Sequence, residues 1–236
     1  MAIADLEYAF KSKINKIDSA QNKNFIIPEI DLALNEGMEL FIKTIAQPRV
    51  RKRYGFEKNQ RSIDDIRTIV VENFNCDLAE GYTDTYSLPD EYWFYLKGYT
   101  IISKGDCTNE KARLYIQQHD DEFQESPFDC SSFEWREVNG TFIEDGIRLY
   151  YDDFTVDNLL ITYIRKPAYM HNAYAYNSST GYKSPSGVVY TGTQDCELPE
   201  GTHSEIVDLA VLIATGKINS PEYQLKLNQL NLNNLK

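Results

Sequence analysis

Two acidic clusters are the parts of this sequence best suited to chemistry. His119 begins the run HDDE, and residues 152–157 read DDFTVD. An imidazole beside carboxylates can bind a divalent cation or transfer protons. Successive residues cannot all face one point, however, and the second cluster lacks the glycine and the final glutamate of a calcium loop. We therefore interpret both clusters as solvated turns and predict neither a catalytic residue nor a metal site.

Searches for other catalytic motifs give the same result. The sequence has neither GxGxxG nor GxxxxGK followed by Ser or Thr, the glycine patterns that hold nucleotides. Its three histidines lie at no spacing typical of a Ser-His-Asp or Cys-His site. The cysteines form no CxxC pair, which argues against zinc and predicts free thiols in a reducing cytoplasm; they are Cys76, Cys107, Cys130 and Cys196. We expect a protein that is not an enzyme and needs no cofactor, with an enzyme of unrecognised site as an alternative.

A short basic run stands out in an acidic chain. Lys and Arg number 24 against 36 Asp and Glu, a formal net charge of −12, so the whole protein should not be attracted to phosphate backbones. Arg49, Arg51 and Arg53 alternate, and an extended backbone would place all three on one side. The run is either a solvated face or a site that meets an acidic partner surface or DNA. We choose these arginines as candidate partner-interface residues.

Tyrosine is the anomaly of the composition, with 17 of 236 residues. Several lie in residues 168–196, the tyrosine-rich segment, among Ser, Gly and Asn. This mixture is typical of contact loops, because a rigid amphipathic ring gives contact area at low entropic cost. A flexible surface loop has the same composition. We expect an exposed hairpin or loop, and we choose Tyr174, Tyr176 and Tyr182 as further candidate interface residues.

Apolar residues at spacings of three and four predict helices near both ends of the chain. Residues 2–17 and 28–46 each show one apolar face. Residues 202–215 begin with a capping-box pattern and are apolar on nearly every side, so other elements should surround this helix. Ser220 followed by proline predicts a last helix.

The middle of the chain has the composition of strands. Residues rich in β-branched and aromatic side chains predict strands at 68–73, 92–103, 112–118, 147–151 and 159–165. Asn139-Gly140 suits the positive φ values of a type I′ turn, so we also predict a β-hairpin at this dipeptide. Residues 69–166 are therefore expected to form a continuous β region.

These elements predict an α+β fold with a discontinuous helical domain. We expect the N- and C-terminal helices to form one bundle from residues 1–68 and 197–236. A mainly antiparallel β domain, residues 69–196, is inserted between them and includes the tyrosine-rich segment as a loop.

Several segments, taken in order, resemble the head-to-tail connector or adaptor proteins of tailed phages, and among them the portal-proximal ring proteins of crAss-like phages. The segments that carry the resemblance are IDLALNEGMELF (30–41), YSLPDEYW (86–93), QQHDDEFQESPF (117–128), LLITYIRKP (159–167), ELPEGTHSEIVDLAVLIAT (197–215) and SPEYQLKLNQLNLNN (220–234). The resemblance covers most of the chain and includes no catalytic signature.

The resemblance implies a structural virion protein without enzyme activity or cofactor. Its subunits assemble with one another as a ring, twelvefold in that family, beneath the portal protein. The ring receives tail components or further ring proteins and continues the channel through which DNA passes without sequence-specific binding. The resemblance transfers no site residue.

Membrane and export signals are weak in this sequence. No run approaches the roughly 20 apolar residues of a membrane span, and the start MAIADLEYAF lacks the apolar block of a signal peptide. We expect a protein made in the host cytoplasm and incorporated in the virion, with no membrane partner. A carbohydrate- or receptor-binding module of a virion, built on the aromatic β region, is the other alternative.

Overall fold

The structure is a computed structural model that describes residues 1–15, 25–46, 64–117, 130–144, 146–184 and 187–217. It is mixed α/β, with 34% helix and 39% strand. The chain divides into two compact units. Met1–Thr68 and Pro167–Lys236 form the terminal unit, and Ile69–Lys166 form the sheet unit.

The sheet unit contains one curled seven-stranded sheet. Its strands are β1 (Val70–Cys76), β2 (Thr85–Ser87), β3 (Tyr92–Lys104), β4 (Cys107–Gln117), β5 (Glu137–Ile143), β6 (Gly146–Tyr150) and β7 (Thr155–Arg165). They are arranged in the order β1-β7-β3-β4-β5-β6-β2. All neighbouring strands are antiparallel except β4 and β5, which are parallel.

Alternating side chains of these strands build the core of the sheet unit. The long central strands β3 and β7 contribute residues rich in branched and aromatic side chains, whose shape suits a pleated surface. The fully buried members of this core include Ile102, Val138, Ile147, Leu159 and Ile161. Apolar burial of this kind is the dominant favourable contribution to folding.

The terminal unit combines helices with short strands. Its helices are α1 (Ile3–Asn15), α2 (Ile27–Ala46), α3 (Ala173–Tyr176) and α4 (His203–Lys217). Its strands are β8 (His171–Asn172), β9 (Tyr182–Lys183), β10 (Val189–Tyr190) and β11 (Thr193–Gln194). Strand β9 pairs with β10 and β8 with β11, both antiparallel.

Among its described residues the terminal unit has three long helices, α1, α2 and α4, and these pack against one another. Helix α2 approaches α4 so closely at Gly37 that an added Cβ would lie 2.8 Å from the carbonyl oxygen of Ile206 and 2.9 Å from the amide nitrogen of Ala210. Glycine is required here because it lets the two backbones meet. On α1, Lys13 pairs with Asp208 of α4 at 2.7 Å.

The predicted fold class is wrong. The large curled sheet dominates the molecule, and the helices are not an N- and C-terminal bundle flanking a β insert. Four short strands lie between α2 and α4 in the terminal unit, and β8 packs on both α1 and α2. Helical periodicity identified the apolar faces of these helices, but it did not reveal that extended chain covers part of them.

The hairpin predicted at Asn139-Gly140 is also wrong. Both residues lie inside β5, which pairs with β4 on one side and β6 on the other. An added Cβ at Gly140 would lie 2.9 Å from Leu149 Cδ2 and 3.0 Å from the carbonyl oxygen of Arg148. The glycine therefore serves a close approach of neighbouring strands, which is the other use of glycine in a sheet.

Several other predicted elements are confirmed, whereas the helix predicted after Ser220 lies outside the described residues. Helix α2, helix α4 and strands β3, β6 and β7 lie within a few residues of their predicted positions. Among the described residues, no helix combines the length and apolar character that a membrane span requires.

Candidate functional site

The structure places only some of the candidate interface residues. Arg49, Arg51 and Arg53 lie outside the described residues. Tyr174 and Tyr176 lie on α3 with 58% and 51% of their surface exposed. Tyr182 lies on β9 and is only 6% exposed. The two exposed tyrosines are available to a partner, whereas Tyr182 is part of the interior.

The tyrosine-rich segment is folded over its described residues. Strands β8 to β11 pair within it, and the amide of Tyr174 donates to the carbonyl oxygen of Gly192 at 3.2 Å. Asn172 caps α3 by accepting a hydrogen bond from the amide of Ala175 at 3.3 Å. The exposed apolar residues of the segment are Tyr174, Tyr176, Val188 and Val189. The backbone that carries these four residues is held by hydrogen bonds.

Beneath the exposed residues, aromatic rings contact one another in a chain. Tyr169 and Tyr190 stack with centroids 4.6 Å apart, and Tyr190 also lies 5.5 Å from Tyr182. The ring of Tyr182 meets that of exposed Tyr176 edge to face at 5.9 Å. Edge-to-face and offset arrangements are those that aromatic pairs prefer. The buried ring of Tyr182 therefore supports the exposed ring of Tyr176.

Two polar side chains of α2 hold the start of this segment. Asn35 accepts from the amide of Met170 at 2.9 Å and donates to its carbonyl oxygen at 2.7 Å. Asp31, one helical turn earlier, accepts from the amide of Asn172 at 3.0 Å through Oδ2. Residues four apart on a helix share a face, and alternate residues of extended chain share a side, so the two sets match. Two side chains of helix α2 thus supply hydrogen-bond partners for the backbone of residues 170–172.

Asp31 also joins two further side chains in the interior. The hydroxyl of Tyr182 donates to Asp31 Oδ2 at 2.8 Å. The carboxyl of Glu7, on α1, lies within hydrogen-bonding reach of the Asp31 carboxyl and of the Asn172 side chain. Asp31 is 0% and Glu7 5% exposed. Three separate parts of the chain therefore meet at one buried carboxylate.

The electrostatics of this cluster follow from burial. Burial, then the nearby charge of Asp31, raises the pKa of Glu7 from an ordinary 4.5 to about 7. Burial also raises the pKa of Asp31, against the hydrogen bonds from the Asn172 amide and the Tyr182 hydroxyl. Burial and the adjacent Asp31 carboxylate raise the pKa of Tyr182. At neutral pH the Tyr182 hydroxyl keeps its proton and donates it to Asp31.

The structure describes only one of the two acidic clusters of the sequence. The HDDE run at His119 lies outside the described residues. In the other cluster, Asp153 pairs with Lys104 and Asp157 accepts a hydrogen bond from Ser103. Within the described part of the chain, no group of three or more His, Cys, Asp or Glu could hold a metal ion.

The sheet unit has its own aromatic cluster. Phe74 meets Tyr163 edge to face, Tyr163 contacts Tyr92, and both Tyr92 and Tyr95 contact Phe142, with centroids 5.7 to 6.0 Å apart. Tyr163 is buried, and Tyr92 and Tyr95 are partly buried against the core. Tyr92, Tyr95 and Tyr163 therefore contact other rings more than solvent, whereas Phe74 and Phe142 are 36% and 39% exposed.

Sequence reasoning missed Glu7, Asp31 and Asn35. All three are polar residues inside amphipathic helices, where a solvated face is the ordinary interpretation. A usable signal exists: Glu7 lies four residues after Ile3 and three before Phe10, on the apolar face of α1. Asp31 likewise lies beside Ile30 and Leu34 of the buried face of α2.

Comparisons with known proteins give no match. A scan against protein-family models finds no family for this chain, and no curated protein matches its sequence significantly. No family or relative therefore identifies a phage connector protein, and that resemblance stays a prediction.

Proposed function

We propose that this chain is a structural virion protein, a ring-forming head-to-tail connector subunit without enzyme activity. It joins the portal protein to the tail and continues the DNA channel. The observation that carries the proposal is the exposed apolar set Tyr174, Tyr176, Val188 and Val189, displayed on folded backbone of the terminal unit. Several apolar side chains exposed on one short folded segment are characteristic of protein contact surfaces, whereas a single exposed side chain is ordinary.

Ring formation explains how a small contact surface on each subunit would suffice for a stable assembly. A closed ring repeats the same subunit contact around an axis, so contacts of modest affinity act together. The proposed partners are further copies of the chain in a ring of twelve, the portal protein, and tail or further ring proteins. The order in which the resembling segments follow one another along the chain favours a connector subunit over other assembly proteins.

The acidic character of the chain suits a DNA channel. A formal net charge of −12 gives a surface that does not bind phosphate, so DNA can slide past it. Under this proposal Arg49, Arg51 and Arg53 belong to a subunit or portal interface and not to the channel wall.

The test is assembly with purified portal protein, followed by mass photometry and negative-stain microscopy. Rings or decorated portals are expected for the natural chain, and the double variant Tyr174→Ser with Tyr176→Ser should lose them. The matched control is Tyr8→Ser, which removes a 76% exposed tyrosine of α1 and should assemble normally.

A chain that stays monomeric with portal present would contradict the proposal. Glycan binding by that monomer would support the alternative of a carbohydrate- or receptor-binding module. The binding rings of such a module would be the exposed ones of the sheet unit, with Trp135 79% and Tyr82 47% exposed.

A further inference from the structure

The carboxyl groups of Glu7 and Asp31 form a buried pair. Through Tyr182 this pair is connected to the exposed ring of Tyr176. Glu7 belongs to α1 and Asp31 to α2, and both are almost fully buried. Within the described chain, Glu7 Oε1 and Asp31 Oδ1 have no hydrogen-bond partner among donor groups. Two carboxylate anions in contact in such a site would repel strongly, so the pair is stable only when it holds a proton.

The neighbours of the pair decide which carboxyl group holds that proton. Asp31 Oδ2 already accepts two hydrogen bonds, from the Tyr182 hydroxyl and the Asn172 amide, and these favour the charged form of Asp31. Glu7 meets a single such donor, the side chain of Asn172, and therefore carries the proton, which it donates to Asp31. The proton thus completes the set of hydrogen bonds around Asp31.

We infer that Glu7 and Asp31 form a single-proton lock, which holds the tyrosine-rich segment against α1 and α2 when occupied and loosens it when the proton leaves. Loss of the proton places a second negative charge beside Asp31, in a site that cannot solvate it. The contacts closest to that charge are the hydrogen bonds to Asn172 and Tyr182, both in the tyrosine-rich segment.

Other ionisable groups face the pair from the surrounding elements. Lys11 on α1 favours the charged form of Glu7, and His171 on β8 favours the charged form of Asp31. Tyr169 and Tyr182 face Asp31 from the tyrosine-rich segment. From α4, Asp208 is engaged with Lys13, which is about 9 Å along α1 from Glu7. The pair therefore retains one proton although Lys11 and His171 both favour its charged form.

The direction of the pH effect follows from the raised pKa of Glu7. The folded chain binds this proton more tightly than the unfolded chain, in which the pKa is the ordinary 4.5. The stabilisation is complete below pH 4.5, falls as the pH rises to about 7, and is absent above that value. The lock is thus closed in mild acid and loosened in mild alkali.

The consequence for assembly rests on the proposed function. Tyr174 and Tyr176 follow directly after the locked residues 170–172, so loosening would alter how both rings are presented. The lock itself is a property of the single chain and is tested without any partner, so its failure is distinct from failure of the connector proposal.

The experiment is hydrogen exchange of the chain alone at pH 5.5 and pH 8, corrected for the intrinsic pH dependence of exchange. We expect protection of the Met170 and Asn172 amides to fall about tenfold or more at the higher pH, the factor that one pH unit of linked proton release gives. Glu7→Gln keeps a hydrogen-bond donor toward Asp31 without an ionisable proton, so it should show equal protection at both values. Glu39→Gln, which changes a half-exposed glutamate of α2 paired with Lys43, should behave like the natural chain.

Equal protection of the natural chain at both pH values would overturn the inference, as would a Glu7→Gln chain with the full pH dependence. Should Glu7→Gln fail to fold, a ¹³C NMR titration of the Glu7 carboxyl in the natural chain decides the matter. A midpoint near 7 supports the lock, and a midpoint near the ordinary 4.5 overturns it.

Discussion

The sheet unit and the terminal unit bury aromatic rings in different surroundings. In the sheet unit, Tyr92, Tyr95 and Tyr163 contact other rings and lie against an apolar core. In the terminal unit, Tyr182 contacts rings on one side and donates to the buried carboxylate of Asp31 on the other. Apolar burial is non-directional and scales with area, whereas a buried polar network depends on every member being satisfied.

Because of this difference, the two units should respond differently to pH and to substitution. A core stabilised by area is insensitive to pH and tolerates exchange of similar apolar residues. A segment held by a few buried hydrogen bonds is fixed in one arrangement, and a change in a single proton can alter it. The exposed residues proposed for assembly are displayed on the second kind of structure.

The largest effect should come from the apolar core of the sheet unit. Leu159 is fully buried, and Leu159→Ala removes buried methyl groups and leaves a cavity, at a cost of about 2–5 kcal/mol in the free energy of unfolding. Both tryptophans, Trp93 and Trp135, lie in the sheet unit, so urea unfolding followed by tryptophan fluorescence reports this loss.

The matched control for this change is Leu96→Ala, because Leu96 is exposed on β3. Its free energy of unfolding should stay within about 0.5 kcal/mol of the natural chain. Equal losses in Leu96→Ala and Leu159→Ala would show that the sheet unit has no such core. The loss in Leu159→Ala should also be the same at pH 5.5 and pH 8.

A smaller loss is expected when the polar network is broken. Asp31→Ala leaves the Tyr182 hydroxyl and the Asn172 amide without their acceptor, and each unsatisfied buried group costs about 1–3 kcal/mol. Removal of the Asp31 charge from beside Glu7 offsets part of this cost, so the net loss should be smaller than that of Leu159→Ala. Urea unfolding followed by far-UV circular dichroism measures the change. Asp208→Ala, which breaks a half-exposed ion pair with Lys13, should cost less than about 1 kcal/mol. An Asp31→Ala loss no larger than that of Asp208→Ala would contradict the network.

The sequence predicted those helices and strands that are specified by the pattern of neighbouring residues. The aromatic and branched residues of β3 and the apolar spacing of α2 locate both elements to within a residue or two. Asn139-Gly140 carried an equally strong local signal, but pairing with β4 and β6 overrode it, and the glycine serves strand packing. Strand partners depend on residues far away in the chain, so the parallel pairing of β4 with β5 has no local signature.

The buried site was less predictable than the fold. Glu7 and Asp31 look like ordinary solvated residues of amphipathic helices, because a one-dimensional pattern does not show that extended chain covers that face. Tyr174 and Tyr176 were chosen from composition alone; the structure leaves both exposed, and their role as contact residues stays a prediction. Tyr182 carries the same signal, yet the structure places it in the interior as the donor to Asp31.

The most direct test of the central claim compares hydrogen exchange of the two units before and after assembly with portal protein. The account predicts that backbone amides around Tyr174, Tyr176, Val188 and Val189 become protected in the assembled state. An assembled state in which these amides exchange as in the free chain would contradict the claim that the tyrosine-rich segment is a contact surface.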